Sequence, residues 1–191
     1  SILFITFFFI KDGDLILNKI NNLLPQQIKN NFLDSVSKIK VLLSRYFIGI
    51  SVQIFSLFVL YSIMLSIIGI KNALVIAFLC ALLNIIPYIG PLISIVLMAI
   101  LTMTNYIDSM LIKEMLSKVG YIFIGFSIVQ LIDNFLIQPY IFSKSVKSHP
   151  LEVFIVIISS GILFGIIGLI IAIPLYTALK VIYFSYSGKE A

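Results

Sequence analysis

Long uncharged apolar runs, separated by short charged segments, dominate this sequence. No charged residue occurs in the ranges 47–70, 72–107 and 153–179. A helix needs about 20 apolar residues to cross the hydrocarbon core of a bilayer. The first run has the length of one crossing, and the other two are longer than one crossing requires. The pattern predicts an all-α, polytopic transmembrane bundle, with a transport core over residues 47–187.

Two prolines and a glycine interrupt the second apolar run. Proline lacks a backbone donor and disfavours helical geometry in the residue before it, so Ile86 and Gly90 are expected to leave the helix. Free backbone polar groups in hydrocarbon are tolerated mainly where protein or a wet cavity covers them. The interrupted segment is therefore a candidate solute site or gate. Its candidate binding residues are Asn84, Pro87, Tyr88, Gly90 and Pro91.

Residues 73–103 and 151–187 are both too long for one straight helix. The first stretch is compatible with a kinked span, a pair of short spans or a re-entrant hairpin whose tip is Pro87–Pro91. In the second stretch, close helix packing is the plain interpretation of the glycines, and a hairpin tip would use the same residues. Candidate positions for helix breaks or gating are Gly161, Gly165, Gly168 and Pro174, together with Pro139 between the two stretches.

A polar stripe marks the predicted span 119–142. Its members are Gln130, Asp133, Asn134 and Gln138. Their spacing of three, one and four residues places them along one side of a helix. Asp133 is the only carboxylate that the pattern places inside the bilayer, where ionisable groups usually face a cavity or a bundle interior. The stripe is therefore a second candidate for solute or ion binding. Alternatively, it joins neighbouring helices through hydrogen bonds.

This arrangement of features occurs twice. An uncharged span followed by a broken stretch occupies residues 47–103 and again residues 119–187. Paired interrupted segments in corresponding positions indicate the binding site of a secondary transporter. The resulting hypothesis places the substrate between the Pro87–Pro91 break and the polar stripe.

The part of the chain before the first span has a different composition. Residues 1–10 are interpreted as the end of a membrane helix, and residues 11–46 are amphipathic and divided by Pro25. An amphipathic stripe of this length is expected to lie on the membrane surface or against a neighbouring element. In either topology, ten of the 13 basic residues fall on the side of this segment. By the positive-inside rule, residues 11–46 and the tail 188–191 are cytosolic.

Composition agrees with a membrane protein and limits its chemistry. The chain is 61% hydrophobic and 11% charged, whereas about 25% of residues are charged in soluble domains. The net charge of +5 is more typical of membrane orientation than of nucleic-acid binding. One cysteine permits no intrachain disulfide, one histidine argues against a His-rich metal site, and no nucleophile has a base beside it. We expect no enzyme activity, cofactor or metal. Because an apolar run is under way directly after Ser1, we expect the C-terminal part of a longer protein.

Four motifs occur in a particular order along the chain. They are Ile86–Pro91, Asp133-Asn134 with Gln138-Pro139, Lys144-Ser145-Val146 with His149-Pro150, and Gly161, Gly165 and Gly168 with Pro174. Together they resemble the signature of the autoinducer-2 exporter family over nearly the whole chain. The resemblance implies a homo-oligomeric multi-pass transporter of the bacterial cytoplasmic membrane, with further spans in an N-terminal part. The roles attached to that family are autoinducer-2 export, sodium or lithium exchange for protons, and sporulation. The resemblance would as readily place glutamate at Asp133, which retains the carboxylate.

We therefore predict a permease that exports a small solute, such as a quorum-sensing signal, across the bacterial cytoplasmic membrane. Autoinducer-2 is rich in hydroxyls and, without borate, uncharged, so it needs hydrogen-bond partners. These would be Asn84, Tyr88, Gln130 and Asn134, and protonation of Asp133 would allow coupling to H+. One alternative is a Na+(Li+)/H+ antiporter in which Asp133 binds the ion. A second is a non-transporting membrane scaffold whose cytosolic helices recruit a partner.

Overall fold

The computed structural model describes residues 25–104, 112–138 and 149–187, with Lys11–Gly13 and single positions between 15 and 22. All regular elements of this part are helical. They are α1 (Gln26–Ile68), α2 (Ala73–Leu83), α3 (Ile89–Thr104), α4 (Ile112–Ile132, continued by a π-helix at Asp133–Ile137) and α5 (Pro150–Ser187). Three stretches are long and apolar enough to cross a membrane: Ile28–Ile68, Lys113–Ile137 and Leu151–Ser187. The prediction of an all-α membrane protein with broken helices is confirmed.

The predictions for residues 1–10, for Pro139 and its following loop, and for the tail 188–191 lie outside the described residues. The chain divides into two compact units. One contains residues 43–174, and the other contains residues 1–42 and 175–191.

Helices α2 and α3 form an antiparallel hairpin, here named hairpin A. The Ser94 hydroxyl donates to the Cys80 carbonyl at 2.9 Å, and the Cys80 thiol lies 3.5 Å from the Ser94 carbonyl. These two residues are seven positions before and after Pro87, so the chain reverses there. Helix α2 has 11 residues, or about 16 Å, which is too short for the roughly 30 Å hydrocarbon core. Of the three forms compatible with the sequence, the structure adopts the hairpin.

The break in hairpin A is shorter than predicted. Ile86 leaves the helix as expected, but Gly90 does not, because α3 already begins at Ile89. Pro91 falls in the first turn of α3, where backbone N–H groups have no intrahelical partner and the missing donor costs nothing. Gly90 is needed for a different reason. A Cβ there would overlap the Leu83 carbonyl oxygen at the end of α2, so its lack of a side chain lets the two helix ends touch.

Helix α5 also reverses, and residues 150–174 are here named hairpin B. Gly165 has φ 63° and ψ −145°, which is not helical. A Cβ on Gly168 would overlap the Ser160 carbonyl. Residues eight positions apart would lie about 12 Å apart along a straight helix, so this close approach requires the chain to fold back. The glycines therefore provide both close packing and a hairpin tip, as the two interpretations of the sequence allowed.

The helix break expected at Pro174 is absent. Gly165 is the only residue inside α5 whose φ and ψ are not helical. A proline within an apolar helix can be accommodated when neighbouring groups satisfy the freed carbonyl. The helix therefore continues past Pro174 to Ser187.

Two apolar clusters hold the 43–174 unit together. The first joins α1, hairpin A and α4 and includes Leu57, Tyr61, Met98 and Ile122 among its fully buried side chains. Its helices approach closely, since a Cβ on Gly125 of α4 would lie only 2.7 Å from Met64 of α1. The second cluster joins the α1 residues Tyr46 and Ile50 to both arms of hairpin B. Small residues at such contacts let membrane helices approach one another.

The other unit combines the beginning of α1 with the end of α5. The Ser185 hydroxyl donates to the Asn31 carbonyl at 3.2 Å and links the two segments. An exposed ion pair joins Lys38 to Asp34 at 3.0 Å. Helix α1 runs without interruption through residue 46, where the amphipathic pattern gives way to the uncharged run.

Gly165→Ala tests the reversal in hairpin B. The φ and ψ of Gly165 are essentially closed to residues with a Cβ, so alanine should destabilise the protein by about 1–3 kcal/mol. Thermal unfolding in detergent can be followed with a thiol-reactive dye, because Cys80 is the only cysteine of the chain and is fully buried. Gly120→Ala is the control, since its Cβ would meet no atom within 4 Å. A Gly165→Ala protein as stable as the control would contradict the reversal.

Candidate functional site

Asp133 lies at the centre of a buried polar network and is fully buried. The Gln53 amide nitrogen donates to both of its carboxylate oxygens, at 3.1 and 3.0 Å. The Gln138 amide donates to one of them at 2.7 Å. Among the described residues, the ion pairs are formed by Asp34 and Glu114. No basic side chain in this part of the chain forms an ion pair with Asp133. Neutral donors alone therefore hold the carboxylate.

A change of helix type positions this carboxylate. Residues Asp133–Ile137 form a π-helix in which the Gln138 backbone N–H donates to the Asp133 carbonyl. Single π-turns inside α-helices are rare and frequently mark functional sites. The π-turn places the Gln138 side chain next to Asp133. Gln53, which lies 80 residues earlier in the chain, contacts Asp133 from α1. Two helices thus converge on one acid.

A second polar group surrounds the hydroxyl of Tyr61, which is fully buried on α1. This hydroxyl donates to the Gln130 side-chain oxygen at 3.3 Å. The Tyr61 ring stacks on Phe126, with centroids 5.6 Å apart and an interplanar angle of 6°. Tyr61 therefore joins α1 to the polar stripe of α4.

Asn84 also ties hairpin A together internally. Its amide donates to the Cys80 carbonyl at 2.8 Å and to the Ser94 hydroxyl at 3.2 Å. Asn84 and Ser94 are both buried. The end of α2 is thus held to α3 by side-chain bonds at the point where α-helical hydrogen bonding gives way to turns.

The structure brings some of the predicted site residues together and separates others. Asp133 and Gln138 share a hydrogen bond, whereas Gln130 is bonded to Tyr61 and Asn84 is bonded to Ser94 within hairpin A. The Asn134 side chain is exposed, although its oxygen accepts from Gln138 at 3.1 Å. Tyr88, with φ 65°, packs edge-on against Phe154 of hairpin B at 5.5 Å. Pro87 and Pro91 are half-buried, and Gly90 is buried at the helix contact.

Two central members of the network were not among the predicted site residues. Gln53 is the only amide side chain in residues 47–70, and this isolated polar position was a usable signal. Tyr61 carried no signal, because buried tyrosines are common in apolar helices. Only the three-dimensional contacts reveal both roles.

The comparisons with known proteins fit this geometry. Residues 1–188 of the chain match the protein family described as AI-2E family transporter. This chain belongs to that family. The AI-2E resemblance predicted from the motifs is confirmed, and membership agrees with a membrane transporter.

Curated AI-2E relatives extend beyond this chain. Bacillus subtilis proteins named Putative transport protein YueF and Putative transport protein YrrI are 29% and 26% identical to it. The matches cover 94% and 95% of this chain but 46% and 49% of the relatives. The Methanocaldococcus jannaschii protein named Putative transport protein MJ1177 is 25% identical over 99% of this chain and 55% of its own length. The chain thus spans about half the length of these relatives. No solved structure matches it.

Substitution of Gln53 tests the central contact. Gln53→Leu leaves the Asp133 carboxylate with fewer donors, so the free energy of unfolding should fall by about 1–3 kcal/mol. In an Asp133→Leu background, the same change should cost much less, because both partners are then apolar. The measurement is a double-mutant cycle from denaturant titrations in detergent. Ser51→Ala, at an exposed position two residues away, is the control. Additive losses would refute the contact.

Proposed function

We propose that this chain forms the core of a permease that exports a small, hydroxyl-bearing solute of the autoinducer-2 kind across the bacterial cytoplasmic membrane. The observation that carries the proposal is the buried carboxylate of Asp133, held by the neutral amides of Gln53 and Gln138 inside an apolar helix bundle. Buried ionisable groups in membrane spans are costly and are usually retained for a pathway or a relay.

The chemistry of the network suits such a solute. Gln53 and Gln138 supply donors, Asp133 supplies acceptors, and Asn84 and Gln130 supply both kinds. A hydroxyl can replace each of these internal partners, because exchanging one hydrogen bond for another changes the free energy little. An apolar solute would leave buried polar groups unpaired, at about 1–3 kcal/mol each. The site therefore favours solutes that carry several hydroxyls.

Orientation and assembly complete the proposal. The count of basic residues supports a cytosolic position for residues 11–46 and for the C-terminus. Family resemblance supports a homo-oligomer. Phe135 and Leu136 of α4 are 74% and 66% exposed. This apolar surface can contact either lipid or a second copy of the chain.

Asp133→Asn tests whether the carboxylate takes part in transport. The Gln53 and Gln138 amides can turn their oxygens toward the new amide, so the packing should survive while the ionisable group is lost. We expect solute flux in proteoliposomes to fall at least about tenfold, corresponding to roughly 1.4 kcal/mol, and its pH dependence to disappear.

Asp34→Asn is the matched control, because Asp34 is an exposed carboxylate paired with Lys38. Its flux should equal that of the unsubstituted protein. If Asp133→Asn retains full flux and an unchanged pH profile, the carboxylate only joins helices.

Ion exchange is the second candidate function, favoured by the absence of a basic partner for Asp133 among the described residues. A proton or a sodium ion could neutralise a carboxylate that has only amide donors. In this case, everted vesicles should show sodium-dependent proton movement that Asp133→Asn abolishes and autoinducer-2 does not alter. Vesicles in which sodium moves no protons would exclude this candidate.

A further inference from the structure

Tyr88 occupies a backbone conformation that its residue type disfavours. It follows Pro87 in the turn between α2 and α3, and its φ of 65° lies in the left-handed region. In turns, a position with positive φ directly after proline is usually taken by glycine or asparagine. A residue with a Cβ is strained there, and such strain persists mainly where the side chain has a use. The requirements of the turn therefore do not explain this tyrosine.

The Tyr88 ring contacts the other hairpin. Its centroid lies 5.5 Å from that of Phe154 in hairpin B, at an interplanar angle of 86°, which is the edge-on arrangement that aromatic pairs prefer. The Tyr88 side chain is still 47% exposed, so it is not held in place by burial in a core. The contact with Phe154 is what this strained residue gains.

The contact lies close to the level of the Asp133 site along α1. Ile89, next to Tyr88, packs on the second apolar cluster, which contains Ile50 of α1. Gln53, which donates to Asp133, is one helical turn farther along α1. The turn of hairpin A therefore lies on the side of the Asp133 site that the count of basic residues assigns to the cytosol.

We propose that Tyr88 is a positioning residue that joins the turn of hairpin A to hairpin B through its ring, and that the two hairpins separate by breaking its contact with Phe154. Separation gives access to Asp133 from the cytosolic side, without any bond from the Tyr88 hydroxyl to the solute. The link to transport rests on the proposed function, because access serves transport only if a solute uses it.

Two opposing effects make this contact reversible. A left-handed backbone disfavours a residue with a Cβ by roughly five- to thirtyfold. An edge-on aromatic pair favours the contact by about two- to twelvefold. Because the two factors are of similar size, loss of the contact costs little once the turn can relax. A glycine in this turn would carry neither effect.

Phe154→Leu removes the partner ring and leaves Tyr88 in place. The reporter is Ile157→Cys in a Cys80→Ala background, because Ile157 lies one turn after Phe154 and is only 1% exposed. We expect N-ethylmaleimide to label the thiol at position 157 in proteoliposomes about fivefold faster, the factor that corresponds to about 1 kcal/mol.

Tyr88→Asn removes the other ring of the pair. Asparagine tolerates positive φ, so the turn should survive and labelling should accelerate by a similar factor. The double variant with Phe154→Leu should label no faster than either single one. Tyr88→Phe keeps the ring and should label at the starting rate, whereas a role of the hydroxyl would make it resemble Tyr88→Asn and would overturn the proposal.

Phe58→Leu is the matched control. Phe58 of α1 meets Phe78 of α2 edge-on, with centroids 5.9 Å apart at 89°, but it packs against the first apolar cluster. Its loss should leave the labelling rate unchanged.

An unchanged rate in both Phe154→Leu and Tyr88→Asn, or an equal increase in Phe58→Leu, would overturn the proposal. If Ile157→Cys does not fold, Ile86→Cys is the reporter, because Ile86 is buried in the turn of hairpin A.

Labelling requires no transported solute, so this contact and the proposed function fail separately. Faster labelling in Phe154→Leu and Tyr88→Asn, combined with no solute flux in the unsubstituted protein, would keep the contact and reject the permease. Normal flux with unchanged labelling would keep the permease and reject the role of the contact.

Discussion

The hydrogen bonds between Gln53 and Asp133 are the constraint on which the packing of α1 and α4 depends. A carboxylate in an apolar interior must be paired, and its first donor comes from 80 residues away. This pairing fixes the rotation and the height of one helix against the other. The Gly125 contact with Met64 and the Lys118 bond to the Gly69 carbonyl, at 3.3 Å, continue the same antiparallel register. Two polar contacts and one close approach thus define the helix pair.

Hairpin A and hairpin B pack against this helix pair. Each hairpin corresponds to one of the two interrupted stretches in the sequence. The non-helical end of hairpin A contacts hairpin B, because Ile85 and Ile89 pack on the cluster that contains Ile157, and Tyr88 meets Phe154. Its helical arms instead pack on the apolar cluster that contains Tyr61. Hairpin A therefore contacts hairpin B at its tip and the pair of α1 and α4 along its arms.

Local signals were predictable from the sequence, and partners distant along the chain were not. Proline and glycine act within a turn, so the broken stretches could be identified, although Pro91 inside the first turn of α3 and Pro174 inside α5 show that proline does not always end a helix. The single acid in an apolar span identified Asp133. Its donor Gln53 and the bond from Tyr61 to Gln130 required the tertiary fold. The π-helix at Asp133–Ile137 was not predictable either, because the assumed period of 3.6 residues does not describe it.

The tip of hairpin B has a consequence for how the chain enters the membrane. Ile162, Leu163, Phe164, Ile166 and Ile167 surround Gly165 and are 66–79% exposed, and no residue from 153 to 174 is charged. Because the chain turns back at Gly165, the entire segment can enter the lipid from the membrane face at which it was synthesised. No charged group then has to cross the hydrocarbon core. Its insertion needs no translocated loop, so this segment can be added after the neighbouring helices are already in place.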